Sequence, residues 1–127
     1  MKILKEKTLL DLQSDFSSKF PGLQIQFYRG AYENGRPSPP EDQLHPSVTI
    51  GNVPGFRQEG EVSTDGHLKV ATFEKQLWDS FGLNAQVFRR SGNIWLQTSA
   101  TDQWTLAEQN RKGEHSVDAY QEMHPED

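Results

Sequence analysis

The stretch 83–98, with the sequence LNAQVFRRSGNIWLQT, constrains the fold more than any other part of this chain. Two runs in which apolar and polar residues alternate flank Ser91 and Gly92, and this pattern is typical of a β-hairpin with a glycine in its turn. Successive side chains of a strand point to opposite faces, so the alternation predicts one buried face and one outer face. We therefore expect an antiparallel sheet.

A two-residue loop at Ser91 and Gly92 assigns each residue of the hairpin to a face. The outer face then carries three opposed pairs: Arg90 with Asn93, Phe88 with Trp95, and Gln86 with Gln97. The second face carries Ala85, Val87, Ile94 and Leu96, with Val87 opposite Leu96 and Arg89 opposite Ile94. We expect this second face to be part of the core.

Further helices and strands are predicted around this hairpin. Thr8 is the expected N-cap of a helix whose apolar stripe is Leu9, Leu12, Phe16 and Phe20. The later elements follow in order: a helix stop at Pro21 and Gly22, a strand at 23–28, a loop at 30–46, one helical turn at 48–53, a hairpin of 61–63 with 67–70 about Asp65 and Gly66, a helix at 72–81 ended by Gly82, and a short helix at 105–111 opened by a capping box of Thr105 and Glu108. The stretch 113–127 is acidic and aperiodic, and we expect a flexible tail.

The two halves of the chain, about 1–54 and 60–112, repeat one pattern. The helix stripe of 9–20 recurs at 70–81, the strand at 23–28 recurs at 83–88, and residues 49–50 recur at 105–106. A pseudo-symmetric duplication of a helix-strand unit explains the repeat, and it predicts an α+β fold with a mainly antiparallel sheet and its helices packed on one face. Two unrelated amphipathic helix-strand units would also look alike.

Length, composition and charge narrow the class of protein. A chain of 127 residues predicts a single domain, here 1–112, and the absence of cysteine excludes disulfides and thiolate chemistry. The N-terminal segment is charged and no run approaches the roughly 20 apolar residues of a membrane span, so we expect a cytoplasmic protein without membrane contact. Residues 112–127 carry one lysine and five acids, a net charge of −4 out of −5, so the body lacks the basic bias of a nucleic-acid-binding domain.

Three segments resemble a small family of uncharacterised bacterial proteins: 66–74 (GHLKVATFE), 81–98 (FGLNAQVFRRSGNIWLQT) and 101–110 (TDQWTLAEQN). The resemblance covers the second half of the chain and extends loosely to the first. It implies a bacterial origin. Since no activity is established for that family, no functional residue carries over.

Catalytic, metal-binding and phosphate-binding motifs are not evident in the sequence. His45, His67, His115 and His124 lack the spacing of metal ligands, and the glycines do not form a phosphate-binding loop. Asp102 is the carboxylate most suited to acid–base chemistry, but it more simply organises the entry to the last helix. We therefore expect a non-enzymatic protein without a cofactor.

The outer face of the sheet is the candidate functional site. Its expected members are Tyr28, Gln86, Phe88, Arg90, Trp95 and Gln97. Aromatic rings beside amides and a guanidinium suit a protein partner or self-association. Three alternatives stay open: single-stranded nucleic acid on the same face, for which the charge is unfavourable; a small ligand under the 30–46 loop; or burial of the face beneath the last helix, Trp104 or that loop as a second core.

Overall fold

Residues 1–125, which the computed structural model describes, contain three α-helices and two antiparallel sheets. The elements follow in chain order: β1 (Lys2–Ile3), α1 (Leu9–Lys19), β2 (Leu23–Tyr28), β3 (Gly60–Glu61), α2 (Val70–Phe81), β4 (Asn84–Ser91), β5 (Ile94–Gln97) and α3 (Leu106–Met123). Short 3-10 turns lie at Pro40–Asp42, Ile50–Asn52 and Ser99–Thr101. The predicted α+β class is confirmed. None of the helices within residues 1–125, α3 included, is long and apolar enough to cross a membrane.

The larger sheet has the strand order β2-β4-β5, and the smaller one pairs β1 with β3. β2 pairs with β4 from Leu23 opposite Arg89 to Tyr28 opposite Asn84. α1 packs on β2, while α2 and α3 pack on β4. The apolar stripes of α1 and α2 meet the inward side chains of β2 and β4 in one buried cluster, in which the rings of Phe16 and Phe73 stack at 5.2 Å.

Three helix ends follow local sequence signals as predicted: the starts of α1 and α3 and the end of α2. α1 begins after the capping box of Thr8 and Asp11, and α3 begins after that of Thr105 and Glu108. α2 ends at Gly82, whose φ of 70° is a left-handed conformation that favours glycine. A side chain at this position would also collide with the backbone of Gly55.

The same pattern of four backbone hydrogen bonds, which we call the hydrogen-bond frame, occurs twice. Around the start of α1, four bonds join it to the segment 46–51: Leu9 N–H to Val48 O at 2.9 Å, Leu10 N–H to Pro46 O at 2.9 Å, Ile50 N–H to Lys7 O at 2.8 Å, and Gly51 N–H to Lys5 O at 3.0 Å. The four equivalents around the start of α2 are Val70 N–H to Trp104 O at 2.9 Å, Ala71 N–H to Asp102 O at 2.8 Å, Leu106 N–H to Leu68 O at 2.8 Å, and Ala107 N–H to Gly66 O at 3.0 Å. The helix-side residues are offset by 61 (from 9 to 70) and their partners by 56 (from 48 to 104).

The register of β2 and β4 agrees with this repeat. The strand offset of 60 relates Gln26 to Gln86, and these two residues lie directly opposite each other. A local twofold axis through this pair would exchange β2 with β4. The repeated frame and the register support the predicted duplication, which itself stays a prediction.

The β4–β5 hairpin turns at Gly92 and Asn93, one residue later than predicted. Gly92 has a φ of 62° at the first loop position, as a type II′ turn requires. Arg90 therefore faces Trp95, and Phe88 faces Gln97. The predicted pairs were wrong, but the predicted faces hold because each residue changed its partner by two positions.

The predicted core face of the hairpin is buried on β4 alone. Ala85 and Val87 are fully buried, whereas Ile94 is 53% exposed and Leu96 is 39% exposed. The helices cover β2 and β4, and β5 lies beyond them at the edge of the sheet. The prediction that Ile94 and Leu96 belong to the core was therefore wrong.

The predicted hairpin about Asp65 and Gly66 does not form. β3 pairs with β1, and Asp65 O accepts the N–H of Leu68 at 3.1 Å in a turn that leads into α2. Val70 begins that helix, where the prediction placed the end of a strand. The error arose because Val70 is the first residue of the helical stripe.

α3 is longer than the predicted helix at 105–111. It continues to Met123, so residues 113–123 of the expected flexible tail are helical, and residues 126–127 of that tail lie outside the described part. Gly113 does not end the helix. It allows α3 to approach the backbone of Gly22, whose N–H donates to Asn110 Oδ1 at 2.7 Å.

Candidate functional site

The six predicted site residues lie on the face of the sheet opposite the helices. β2 contributes Tyr28, β4 contributes Gln86, Phe88 and Arg90, and β5 contributes Trp95 and Gln97. The register places them on one face, although their partners across β4 and β5 differ from those predicted. Burial, however, divides them into two groups.

Tyr28 and Gln86 are buried, with 4% and 3% of their surface exposed. The 30–46 loop covers them, and its Ser38 hydroxyl accepts hydrogen bonds from Asn84 Nδ2 at 3.0 Å and from Gln86 Nε2 at 3.3 Å. The backbone of Tyr28 also bridges that of Gln43, and burial raises the pKa of the Tyr28 hydroxyl. These two site residues therefore anchor the loop and expose little surface to a partner.

The other four residues, Phe88, Arg90, Trp95 and Gln97, are half-buried, and we call them the aromatic surface. The Arg90 guanidinium lies over the Trp95 ring, 5.4 Å from its centroid, and Arg90 Nε donates to Gly92 O at 2.7 Å. Gln97 Nε2 donates to Gln86 Oε1 at 2.9 Å. These contacts hold the side chains in place, and within residues 1–125 no carboxylate pairs with Arg90.

A groove of about 420 Å³ separates the aromatic surface from the 30–46 loop. Its lining combines two aromatic rings, a proline-rich wall and two amides: Tyr28, Phe88, Pro37, Ser38, Pro39, Pro40, Gln43 and Gln97. Apolar walls with a few polar groups are usual in ligand sites. The loop therefore covers only part of the outer face and leaves a concave border along the rest.

A buried carboxylate beneath the same loop was not singled out by the sequence pattern. Glu74 of α2 is 6% exposed; its Oε1 accepts the Tyr32 hydroxyl at 2.8 Å and its Oε2 accepts the Val87 N–H at 2.8 Å. Burial raises the pKa of Glu74 to about 7, and the charge of Asp102 contributes in the same direction. Burial also raises the pKa of Tyr32, and the Glu74 carboxylate adds to this effect.

Glu74 lies where β5 ends and β4 continues. The carbonyl of Val87 still accepts the Thr98 N–H at 3.1 Å, but its N–H is beyond the end of β5 and bonds to Glu74. The equivalent position of α1, offset by 61, is Gln13, which also reaches the sheet edge by donating to Ile25 O at 3.0 Å. The sequence did offer a signal for a buried carboxylate: Glu74 lies four residues after Val70 and so shares the apolar stripe of the helix.

Asp102 lies on the approach to α3, and the hydrogen bond that it makes there is through its backbone. Its backbone carbonyl accepts the Ala71 N–H at 2.8 Å, which ties the approach to α3 to the start of α2. Its side chain is buried, and Oδ2 has no hydrogen-bond partner within residues 1–125. In the same part of the chain, no three His, Cys, Asp or Glu side chains are grouped so that they could hold a metal ion.

Comparisons with protein-family models, with curated proteins and with solved structures found no match for this chain. The geometry of the aromatic surface is therefore the basis for assigning a function.

Proposed function

We propose that this protein is a non-enzymatic interaction module that binds a protein partner through the aromatic surface. The observation that carries the proposal is the half-exposed stack of Arg90 on Trp95, in which the guanidinium has no carboxylate partner within residues 1–125. Tryptophan and arginine are the side chains that most often dominate binding energy at protein interfaces. A partner that supplies a carboxylate would complete the ion pair and cover the ring.

The surface is also held ready for binding. Gln97 is tied to Gln86, and Gln86 is tied in turn to Ser38 of the covering loop. Arg90 is fixed by its bond to the hairpin turn at Gly92. Because these side chains are already ordered, a partner loses little affinity to their immobilisation.

A photo-crosslinking experiment tests the proposal. A photoreactive phenylalanine analogue placed at position 88 is expected to capture a discrete protein in cells that express the chain naturally. Position 10 on α1, where Leu10 is exposed far along the chain from the hairpin, provides the control site. Capture from position 10 alone, or none from position 88, would contradict the proposal.

A paired substitution adds a second readout. Trp95→Ala is expected to abolish capture from position 88 while leaving the fold intact, since the ring is only half-buried. Trp104→Ala is the matched control, because Trp104 is an exposed tryptophan that contacts Arg89 on the other face of the sheet. If Trp95→Ala unfolds the protein, the ring belongs to a core and the proposal falls.

A small ligand in the groove is a second candidate, supported by the rings of Tyr28 and Phe88 in its lining. Ring-containing fragments that raise the melting temperature should lose this effect in Phe88→Ala and keep it in Arg90→Gln. Loss in both variants, or in neither, would count against the groove as the binding site.

Single-stranded nucleic acid has weaker support. Arg89 points to the opposite face, where its Nη1 donates to Gln109 Oε1 at 2.9 Å, and Arg36 pairs with Glu33 at 3.3 Å. Arg90 is then the cation that the aromatic surface itself provides. Oligonucleotide binding that falls steeply with salt would favour this candidate.

A further inference from the structure

The outer edge of β5 is an open edge of the three-stranded sheet. In an antiparallel strand, successive residues direct their backbone N–H and C=O groups to opposite edges. The Arg90 N–H donates to Gly22 O on the β2 side, and Val87 O accepts the Thr98 N–H on the β5 side. Odd-numbered residues of β4 therefore bond to β5.

This alternation decides which groups of β5 are free. Leu96 lies opposite Arg89 and Ile94 lies opposite Ser91, so the backbone groups of Leu96 and Ile94 bond to β4. Those of Trp95 and Gln97 point away from the sheet, and within residues 1–125 no backbone or side-chain group pairs with them.

The outward carbonyls of β2, at the opposite edge of the sheet, are occupied. Each outward carbonyl in the first five residues of β2 accepts a hydrogen bond: Leu23 O from the Ser17 hydroxyl at 3.0 Å, Ile25 O from Gln13 Nε2 at 3.0 Å, and Phe27 O from the Leu44 N–H at 2.8 Å. Proteins commonly cover edge strands because an open edge pairs with any compatible strand. The contrast marks β5 as the edge left available.

The side chains of β5 give this edge two different faces. Ile94 and Leu96 are exposed on the helix side, where they form an apolar row. Trp95 lies on the other side with the Arg90 guanidinium stacked over it. A strand added to this edge would meet apolar surface on one face. On the other face it would meet a cation that no carboxylate of residues 1–125 pairs with.

We propose that β5 is extended by a strand of the partner that alternates apolar and acidic residues. The apolar side chains continue the row of Ile94 and Leu96, and the acidic side chains reach Arg90. This inference rests on the proposed function and adds the conformation and the chemistry of the partner segment. Main-chain hydrogen bonds to Trp95 and Gln97 provide affinity, and the alternating side chains provide specificity.

A second copy of the chain fits this edge less well. Two β5 strands paired about a twofold axis would keep Arg90 of both copies on the same face. β5 itself supplies no carboxylate to separate the two cations. Like charges brought together in this way oppose association, so an acidic segment of a different protein is the favoured occupant.

The probe for the test is the peptide acetyl-Val-Glu-Val-Glu-Val-Glu-Val-Glu-amide, titrated into the labelled full chain and followed by NMR. Binding is expected below about 1 mM, with the largest shift changes at the Trp95 and Gln97 amides. Arg90→Gln is expected to weaken binding about tenfold, and so is replacement of every glutamate of the peptide by lysine.

Two methylated peptides separate strand pairing from contact with the face alone. One carries N-methyl groups on its valine amides and the other on its glutamate amides. In a paired strand only one of these sets points towards β5, so one peptide should lose binding and the other should keep it.

The outcomes separate the two claims. Equal binding of both methylated peptides, combined with loss in Trp95→Ala, overturns the strand-pairing inference and leaves the proposed function standing. Absence of any binding by the parent peptide overturns the inference as well, while capture from position 88 still decides the proposed function. Binding that is unchanged in both Arg90→Gln and Trp95→Ala places the peptide away from the aromatic surface and overturns the inference, while capture from position 88 again decides the proposed function.

Discussion

Replacing Glu74 by glutamine should remove a large pH dependence from the stability of the protein. The amide has nearly the same shape as the carboxylate, so its oxygen can accept the Val87 N–H and its nitrogen can donate to the Tyr32 oxygen. The Tyr32 hydroxyl then has Asn34 Oδ1, at 3.3 Å, as its acceptor. The substitution therefore keeps the hydrogen bonds and removes the titrating group.

The magnitude follows from the pKa of Glu74, which burial raises from 4.5 to about 7 in the folded protein. The folded state binds this proton more tightly than the unfolded state. The resulting stabilisation is fully present below the unfolded pKa and is lost as pH rises through the folded pKa. Between a pH below both pKa values and a pH above both, the free energy of unfolding falls by about 3 kcal/mol. About 2 to 3 kcal/mol of this loss occurs between about pH 5 and pH 8.

Urea unfolding followed by circular dichroism measures this effect. Between about pH 5 and pH 8, the free energy of unfolding of the wild-type protein should fall by about 2 to 3 kcal/mol more than that of Glu74→Gln. The variant should therefore be the more stable protein at the higher pH. Glu41→Gln, at an exposed position, is the control and should follow the wild type. Equal pH dependence of wild type and Glu74→Gln would refute the reasoning.

Two further substitutions probe the surroundings of Glu74, and a third probes the contact between α3 and Gly22. Asp102→Asn should lower the pKa of Glu74, because a nearby negative charge is removed; an unchanged carboxyl titration by ¹³C NMR would contradict this. Tyr32→Phe should raise the pKa of Glu74 and destabilise the protein by about 1 to 2 kcal/mol, since Glu74 loses a hydrogen bond. The carboxyl titration by ¹³C NMR checks the pKa, and denaturant unfolding checks the stability. Gly113→Ala should destabilise the protein by about 1 to 3 kcal/mol, because its Cβ would overlap Gly22, although alanine favours helices. Lys112→Ala, at an exposed position of the same helix, is the control. A rise in melting temperature for Gly113→Ala would disprove the close contact.

Local sequence patterns were enough to predict much of the secondary structure. The strand predicted at 23–28 is β2 to the residue. The N-cap predicted at Thr8 and the capping box predicted at Thr105 and Glu108 open helices where expected. These features depend on neighbouring residues alone: alternation defines a strand, and a threonine followed three residues later by an acid defines a helix start. The outer-face assignment of Phe88 and Trp95 survived the shift in register because it depends only on this alternation.

The remaining features depend on distant parts of the chain. Ile94 and Leu96 have the pattern of a core strand, but whether a helix covers them is a property of the whole sheet. Gly113 has the appearance of a helix end, and its role appears only with Gly22 beside it. Tyr28 and Gln86 are removed from the candidate surface by the 30–46 loop, whose path a loop sequence does not reveal.

Amide hydrogen exchange at β5 tests the central claim most directly, because the strand contains its own control. In the dilute isolated protein, the Trp95 and Gln97 amides should exchange rapidly, while those of Ile94 and Leu96, which bond to β4, should be protected. Addition of the alternating valine–glutamate peptide should then protect Trp95 and Gln97. Slow exchange of Trp95 and Gln97 in the free protein, or no change when the peptide binds, would contradict an open edge that serves as the binding site.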